Sequence, residues 1–136
     1  MKSLSLSILA TLWVAGAALA ADAPKEAAAA KPLLLTQDLP DIQGKEVLML
    51  TVEYPPGGSS KAHRHNADVF VYVLEGSIIM QVDGQQAVTL TPGQTFYENP
   101  NDIHRTSANA SKTAPAKFLV FIVKDKGKPV TTPVEK

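Results

Sequence analysis

The sequence predicts one all-β domain, a sandwich or a small barrel, and three observations lead to that fold class. Short apolar runs alternate at close intervals with Pro, Gly, Asn and Asp, which is the pattern of strands joined by turns. No segment carries an apolar stripe of helical period over a useful length. The chain has 136 residues, which is the size of one ordinary domain.

Seven short strands are expected within residues 33–123, and that number fits a sandwich or a barrel. They cover residues 46–54, 69–74, 77–82, 87–90, 95–97, 104–107 and 117–123. Asp83-Gly84 lies between two of them and predicts a hairpin, because both residues tolerate positive φ in a tight turn. Residues 69–74 (VFVYVL) are apolar on both faces. That strand is expected to be covered on each side, as in a barrel wall backed by another sheet or by a partner subunit.

The two ends of the chain are predicted to lie outside the domain. Residues 1–20 combine Lys2, an apolar run and the small-residue ending Ala18-Leu19-Ala20, which is the pattern of a cleaved secretory signal. The run falls short of the roughly 20 apolar residues of a membrane-spanning helix. Residues 21–32 are expected to be a flexible Ala-rich linker and residues 124–136 a flexible tail. The mature protein is therefore expected to be periplasmic or secreted, and not held in the membrane.

Charge and cysteine content exclude several classes of function. The chain carries 13 basic and 13 acidic side chains, and loss of Lys2 with the signal would leave 12 basic ones. With this near-neutral balance, the sequence has no excess of basic residues that would attract nucleic acid or an anionic membrane surface. There is no cysteine, so stability must come from a packed core. A metal site would have to use imidazole, carboxylate or amide groups.

All three histidines lie in two short stretches of chain. His63 and His65 are two residues apart, so in an extended strand both imidazoles point to one face, which Val69 and the valines at 71 and 73 would share. His104 follows the turn-forming residues 99–103. Neutral imidazole is the commonest metal ligand, and three of them suit Zn, Cu, Fe, Ni or Mn. The alternatives are a surface pair and a structural His104, and spacing alone leaves them open.

The residues around the histidines resemble the two motifs of the cupin superfamily. The first motif is G-x5-H-x-H-x3/4-E-x6-G, and the corresponding positions here are Gly57, His63, His65, Val69 and Gly76. The second is G-x5-P-x-G-x2-H-x3-N, and the corresponding positions are Gly93, Pro100, Asn101, His104 and Asn109. Pro100 and Asn109 each come one place late, and Asn101 replaces the glycine. The similarity covers nearly all of residues 33–123.

The resemblance implies a cupin-type β-barrel (double-stranded β-helix, or jelly roll) with one divalent transition-metal ion, Fe, Mn, Ni, Cu or Zn, in its mouth. The implied ligands are His63, His65 and His104. The resemblance also implies a small-molecule ligand or substrate and assembly as a homodimer. The sequence departs from the motif at Val69, because valine cannot coordinate a metal where the family has glutamate. Glu98 is the expected substitute, or else a general base, and Gln81 is a second candidate ligand.

Several hypotheses for function remain open at this point. The first is a metal-dependent enzyme acting on a small oxygen-rich molecule, with dioxygenase-like oxidation or isomerisation implied by family analogy. The second is a non-catalytic protein that binds or senses a small ligand or a metal outside the cytoplasm. The third is a structural protein whose barrel binds no metal. For Glu98, the alternative is a surface carboxylate or a partner of Arg105.

Overall fold

The structure, a computed structural model, describes residues 29–134, which form two antiparallel β-sheets without a helix. The strands are β1 (Leu33–Asp38), β2 (Lys45–Tyr54), β3 (Ser59–Ser60), β4 (His63–Arg64), β5 (Asp68–Glu75), β6 (Ile78–Val82), β7 (Val88–Leu90), β8 (Thr95–Glu98), β9 (His104–Asn109), β10 (Ala116–Asp125) and β11 (Thr132–Pro133). One sheet has the order β1-β2-β10-β5-β8, and the other has β11-β4-β9-β6-β7, with β3 also paired to β9. The predicted signal, residues 1–20, lies outside the described residues.

Strict alternation of side chains along the strands builds the core between the two sheets. On β5 the valines at 69, 71 and 73 are buried, whereas Phe70, Tyr72 and Leu74 point outward and are 39–47% exposed. The long strand β10 alternates in the same way and pairs along its length with both β2 and β5. The predicted all-β fold is confirmed, and so is the direction in which the residues of β5 face.

Two local predictions need correction. Of the pair Asp83-Gly84, only Gly84 has a positive φ, 76°. The predicted hairpin is present, since β6 pairs antiparallel with β7 and Gln85 N–H donates to the carbonyl oxygen of Val82 across Asp83-Gly84. Because β6 ends at Val82 and β7 begins at Val88, however, the connection is a loop of residues 83–87 and not a two-residue turn. In addition, no other part of the described chain covers the outer face of β5, where Phe70 and Tyr72 stay exposed. Burial of that face by a partner subunit therefore stays a prediction.

The expected flexible tail is instead part of the fold as far as residue 134. Lys124 is buried and its Nζ lies 2.5 Å from Glu46 Oε1, so this charge has a partner inside the protein. Further on, β11 pairs with β4, placing Pro133 opposite His63. Proline is tolerated there because β11 is an edge strand and need not donate on both sides. The last linker residues are also fixed in the fold, since Ala30 forms a β-bridge with Glu53 of β2.

No helix within residues 29–134 is long and apolar enough to cross a membrane.

Gly76, in the turn between β5 and β6, is expected to be essential for stability. It has a φ of 70°, and a Cβ there would lie 2.5 Å from the carbonyl oxygen of Pro115. Gly84 has a similar φ of 76°, but a Cβ there would meet nothing within 4 Å. Gly84→Ala should therefore cost about 1–2 kcal/mol from backbone strain alone. Gly76→Ala should cost more, because the chain must also move. Urea unfolding of both variants measures the difference, and equal losses would contradict this interpretation.

Candidate metal centre

Strand pairing brings the two histidine stretches together. β4 pairs with β9 so that His63 lies directly opposite His104, although the two are far apart in sequence. After His65 the chain leaves this sheet for β5 in the other sheet, and it turns at Asn66, the one non-glycine residue with positive φ (50°) among residues 29–134. His63 and His65 therefore face the barrel interior, as predicted from their spacing, but not because one continuous strand runs on to Val69.

The three imidazoles form one compact cluster at the open end of the barrel. The Nε2 atoms of His63 and His65 are 3.1 Å apart. The ring centroid of His104 lies 5.2 Å from that of His63 and 6.4 Å from that of His65. One ring nitrogen from each histidine can be chosen so that all three lie within 4.8 Å of one another. His104 is buried, while His63 and His65 are partly exposed.

Backbone carbonyls determine which nitrogens of the first two rings are free. His63 Nδ1 lies 2.7 Å from the carbonyl oxygen of Lys61, and His65 Nδ1 lies 2.7 Å from that of Val130. Because a carbonyl only accepts, each Nδ1 must donate its hydrogen, which leaves both Nε2 atoms as lone-pair donors in the neutral rings. Burial lowers the pKa of His63 to about 4 and also lowers the pKa of His65, so both rings are neutral near pH 7.

Glu98 supplies a carboxylate to the same cluster. It is only 2% exposed, and its Oε1 and Oε2 lie 3.0 Å from His104 Nδ1 and 3.9 Å from His65 Nε2. Strand pairing explains its position, since β8 pairs with β5 and places Glu98 directly opposite Val69. A carboxylate thus reaches the cluster from the neighbouring strand, at the position paired with Val69.

The other candidates named from the sequence lie elsewhere. Gln81 faces away from the buried side of β6, and its amide is bonded to Thr106 Oγ1 at 3.0 Å and to the carbonyl oxygen of Gln85 at 2.9 Å. Gln81 is therefore removed from the candidate ligands, because strand alternation turns it outward. Arg105 pairs with Asp83 at 2.7 Å and not with Glu98, which is no surface carboxylate.

Two observations show that this donor set fits a metal ion. The facing Nε2 lone pairs of His63 and His65, 3.1 Å apart, have no hydrogen between them, and one cation can accept both. Metal–imidazole bonds of about 2.0–2.1 Å span such a gap. Both ring nitrogens of His104 are buried without a hydrogen-bond partner among the described residues, since the contact with Glu98 lacks hydrogen-bond geometry. Buried polar atoms without partners are costly, and a bound ion would satisfy one of these two nitrogens.

A cavity of about 330 Å³ opens beside the cluster, inside the barrel. Its wall includes the three histidines and Glu98, and otherwise consists mainly of apolar side chains from β2, β5 and β10. At the mouth it is lined by Lys31 and by residues 130–131. A ligand in this cavity would reach the cluster from the barrel interior.

Sequence reasoning missed the part of the site that comes from the two chain ends. The carbonyl oxygen of Val130 orients His65, and Lys31 lines the mouth of the cavity. Asn66 Nδ2 also donates to Thr132 Oγ1 at 3.1 Å, which ties the turn after His65 to β11. No motif marks these contacts, because they depend on a short edge strand and on backbone atoms.

Ending the chain after Lys128 is expected to weaken metal binding by about 10–100-fold, the usual cost of losing a group that orients a ligand. This truncation removes the carbonyl that holds His65 and the strand that pairs with β4. Competition titration with Zn²⁺ measures the affinity. A chain ending after Val134 keeps β11 and should bind like the wild type. Equal affinity of the two truncated chains would contradict the orienting role of this segment.

The fold and the cluster define a small double-stranded β-helix protein with a histidine-rich centre in the mouth of its barrel. Residues 50–122, more than half of the chain, match the family described as Cupin domain, and the chain belongs to that family. No curated protein matches the chain in sequence.

Solved structures show the same fold. A double-stranded β-helix protein from Klebsiella pneumoniae subsp. pneumoniae MGH 78578 has a TM-score of 0.63 and 15% identity, over 83% of this chain and 90% of that one. A cupin domain from Bordetella pertussis Tohama I has a TM-score of 0.57 and 22% identity, over 74% and 97%. The DMSP lyase DddQ from Ruegeria pomeroyi DSS-3 has a TM-score of 0.53 and 20% identity, over 61% and only 41%.

Proposed function

We propose that this cupin binds one divalent transition-metal ion through His63, His65 and His104, with Glu98 as the fourth protein ligand, and acts on a small molecule bound in the adjoining cavity. The observation that carries the proposal is the pair of bare Nε2 atoms 3.1 Å apart beside the unpartnered, buried His104. Zn, Fe, Mn, Ni and Cu all accept imidazole and carboxylate ligands, and the donor set does not choose among them.

The residues of the site would have two roles, binding the ion and accepting a proton from the substrate. When bound, the ion supplies Lewis-acid polarisation of a ligand oxygen or, if it is redox-active, electron transfer to dioxygen. His63 lies on β4, His65 follows that strand directly and His104 lies on β9. The cavity lies on the barrel side of the cluster, where a substrate oxygen can reach it. If Glu98 is not a ligand, its carboxylate is the group positioned to accept a substrate proton as a general base.

Oxidation of the dioxygenase type, or isomerisation, is the chemistry that we propose for this site. Structures with the same fold include an oxalate oxidase, at 24% identity and a TM-score of 0.51, and the DMSP lyase mentioned above. Likeness at this level supports the fold and leaves the reaction to experiment. Export and dimer formation belong to the same proposal. The pattern of residues 1–20 supports export, and the exposed aromatic face around Phe70, Tyr72 and Tyr97 supports a dimer.

Metal-dependent chemistry is tested on mature protein that has been stripped with a chelator and reloaded. We expect about one ion per chain to rebind and to raise the melting temperature, since an ion present at 100 times its Kd stabilises the fold by about 2.7 kcal/mol. The Fe²⁺-loaded protein should then consume O₂ with a small enol or aromatic substrate. Tight binding of a metal and a small molecule without O₂ uptake or product would favour the non-catalytic binder. An unchanged melting temperature with every metal would contradict the proposal and favour a metal-free barrel.

A further inference from the structure

The wall of the cavity beside the histidine cluster cannot supply the hydrogen bonds that the oxygens of an oxygen-rich molecule need. Its sides are formed by Leu48, Leu50, Val71, Met80, Phe118 and Val120. All six are buried members of the hydrophobic core. Each polar oxygen of a ligand that is buried against this wall would lose its water without gaining a hydrogen bond, which costs about 1–3 kcal/mol per group.

The polar side chains of the lining fall into two groups. The first consists of the three histidines and Glu98, and the exposed Lys31 also lines the cavity. The second consists of Tyr54 and Ser107, both buried, and their hydroxyls share a hydrogen bond of 2.8 Å. One of these hydroxyls donates to the other, so each already has a partner and this group offers a ligand at most one unpaired hydroxyl hydrogen.

The lining of the cavity extends along most of β2. Leu48 and Tyr54 both line it, and they are six residues apart on β2, which corresponds to about 20 Å of strand. A ligand whose only polar group is at one end can place that group at the cluster and extend the rest of the molecule along the apolar wall. Lys31 at the mouth adds a positive charge, which favours an anionic polar group.

We propose that the natural ligand is an amphiphile, with one anionic oxygen group at the metal and an apolar hydrocarbon or aromatic body that fills the barrel. This inference rests on the proposed metal site and specifies its substrate class. It replaces the oxygen-rich substrate that family analogy suggests. A dicarboxylate such as oxalate has no apolar body, so it would leave the greater part of the cavity to water.

The test uses the mature protein loaded with Zn²⁺, which is redox-inert, and a series of straight-chain carboxylates. Acetate, butyrate and octanoate are titrated calorimetrically beside oxalate. Affinity should rise about fourfold for each added methylene until the cavity is full, the effect of burying about 0.8 kcal/mol per CH₂. Octanoate should therefore bind far more tightly than acetate or oxalate.

A matched pair of variants locates the effect inside the barrel. Val71→Thr introduces a hydroxyl into the cavity wall and should raise the Kd for octanoate about tenfold without changing the affinity for Zn²⁺. Val88→Thr makes the same change on a side chain that is 40% exposed on β7 and should have no effect. Val120→Thr, also in the wall, serves if Val71→Thr fails to fold.

The outcomes separate this inference from the proposed function. Tight Zn²⁺ binding with oxalate equal to or stronger than octanoate would overturn the amphiphile and leave the metal site intact. A chain-length effect that is equal in Val71→Thr and in the wild type would also overturn it, because the hydrocarbon would then bind elsewhere. Failure of the wild type to bind Zn²⁺ at all would overturn the proposed function, and with it the metal-bound end of the ligand.

Discussion

His104→Ala is expected to reduce the affinity for a divalent ion by more than about 100-fold, so that the purified variant retains almost no metal. Loss of a group that only orients a ligand costs about 10–100-fold, and loss of a ligand should cost more. His104 is also the buried member of the cluster, and neither of its ring nitrogens has a hydrogen-bond partner among the residues described. Elemental analysis together with Zn²⁺ titration of the stripped protein measures the change.

The matched control for this variant is Gln81→Ala. Gln81 lies on β6, next to β9, but its amide is directed away from the cluster, and it should bind metal like the wild type. If His104→Ala fails to fold, His63→Ala tests the same point, because His63 is partly exposed and its removal disturbs the core less. Wild-type metal content in either histidine variant would contradict the assignment of that residue as a ligand.

The second large effect is expected from moving the carboxylate between two paired strands. Glu98→Val should weaken metal binding by at least about 10–100-fold, whether Glu98 binds the ion or only orients His104 through their close contact. The double variant Val69→Glu/Glu98→Val returns a carboxylate to the cluster from the opposite strand. Val69 and Glu98 are paired residues of β5 and β8, so both side chains project from adjacent points of the same sheet. We expect the double variant to recover a substantial part of the lost affinity.

Recovery in the double variant separates a role at the metal from a role in packing. Val69→Glu alone adds a second buried carboxylate beside Glu98 and should destabilise the fold, because two like charges would share one buried site. Urea unfolding in the absence of metal measures that cost. If the double variant folds but binds metal no better than Glu98→Val alone, the proposal that Glu98 replaces the missing glutamate is wrong.

Much of the fold was predictable because side-chain alternation is a local property. Val69, Phe70 and their neighbours face the directions that a period of two requires, and the core valines follow directly. The hairpin at Asp83-Gly84 was predicted correctly, but the length of its loop was not. A loop of residues 83–87 can be closed by contacts that the dipeptide alone does not reveal, such as the hydrogen bond from Gln81 to the carbonyl oxygen of Gln85.

The convergence of the histidines could be predicted only through the family resemblance. His63 meets His104 because β4 and β9 are paired, and pairing between distant strands leaves no local trace in composition or period. The same limit explains the error about residues 124–134. Pro129 and Pro133 among lysines and threonines are typical of a frayed end, yet β11 needs only two residues to hold this segment beside His63.

The position of Glu98 was inferred from its closeness to His104 in sequence, whereas the physical reason is its place opposite Val69. This pairing suggests that a carboxylate can be exchanged between the two strands while the donor set is kept. The role of Lys31 in lining the cavity was not predicted, because residues 21–32 have the composition of a linker. The apolar cavity wall was not predicted either, because the alternation of side chains shows which residues face inward but not whether they leave a cavity.

The most direct test of the metal centre is a crystal of the mature protein grown with Zn²⁺ and measured at the zinc absorption edge. The account predicts one strong anomalous peak inside the barrel mouth, about 2.0–2.1 Å from a ring nitrogen of each histidine. Peaks found only at surface carboxylates, with His104 out of bonding reach of any ion, would contradict it.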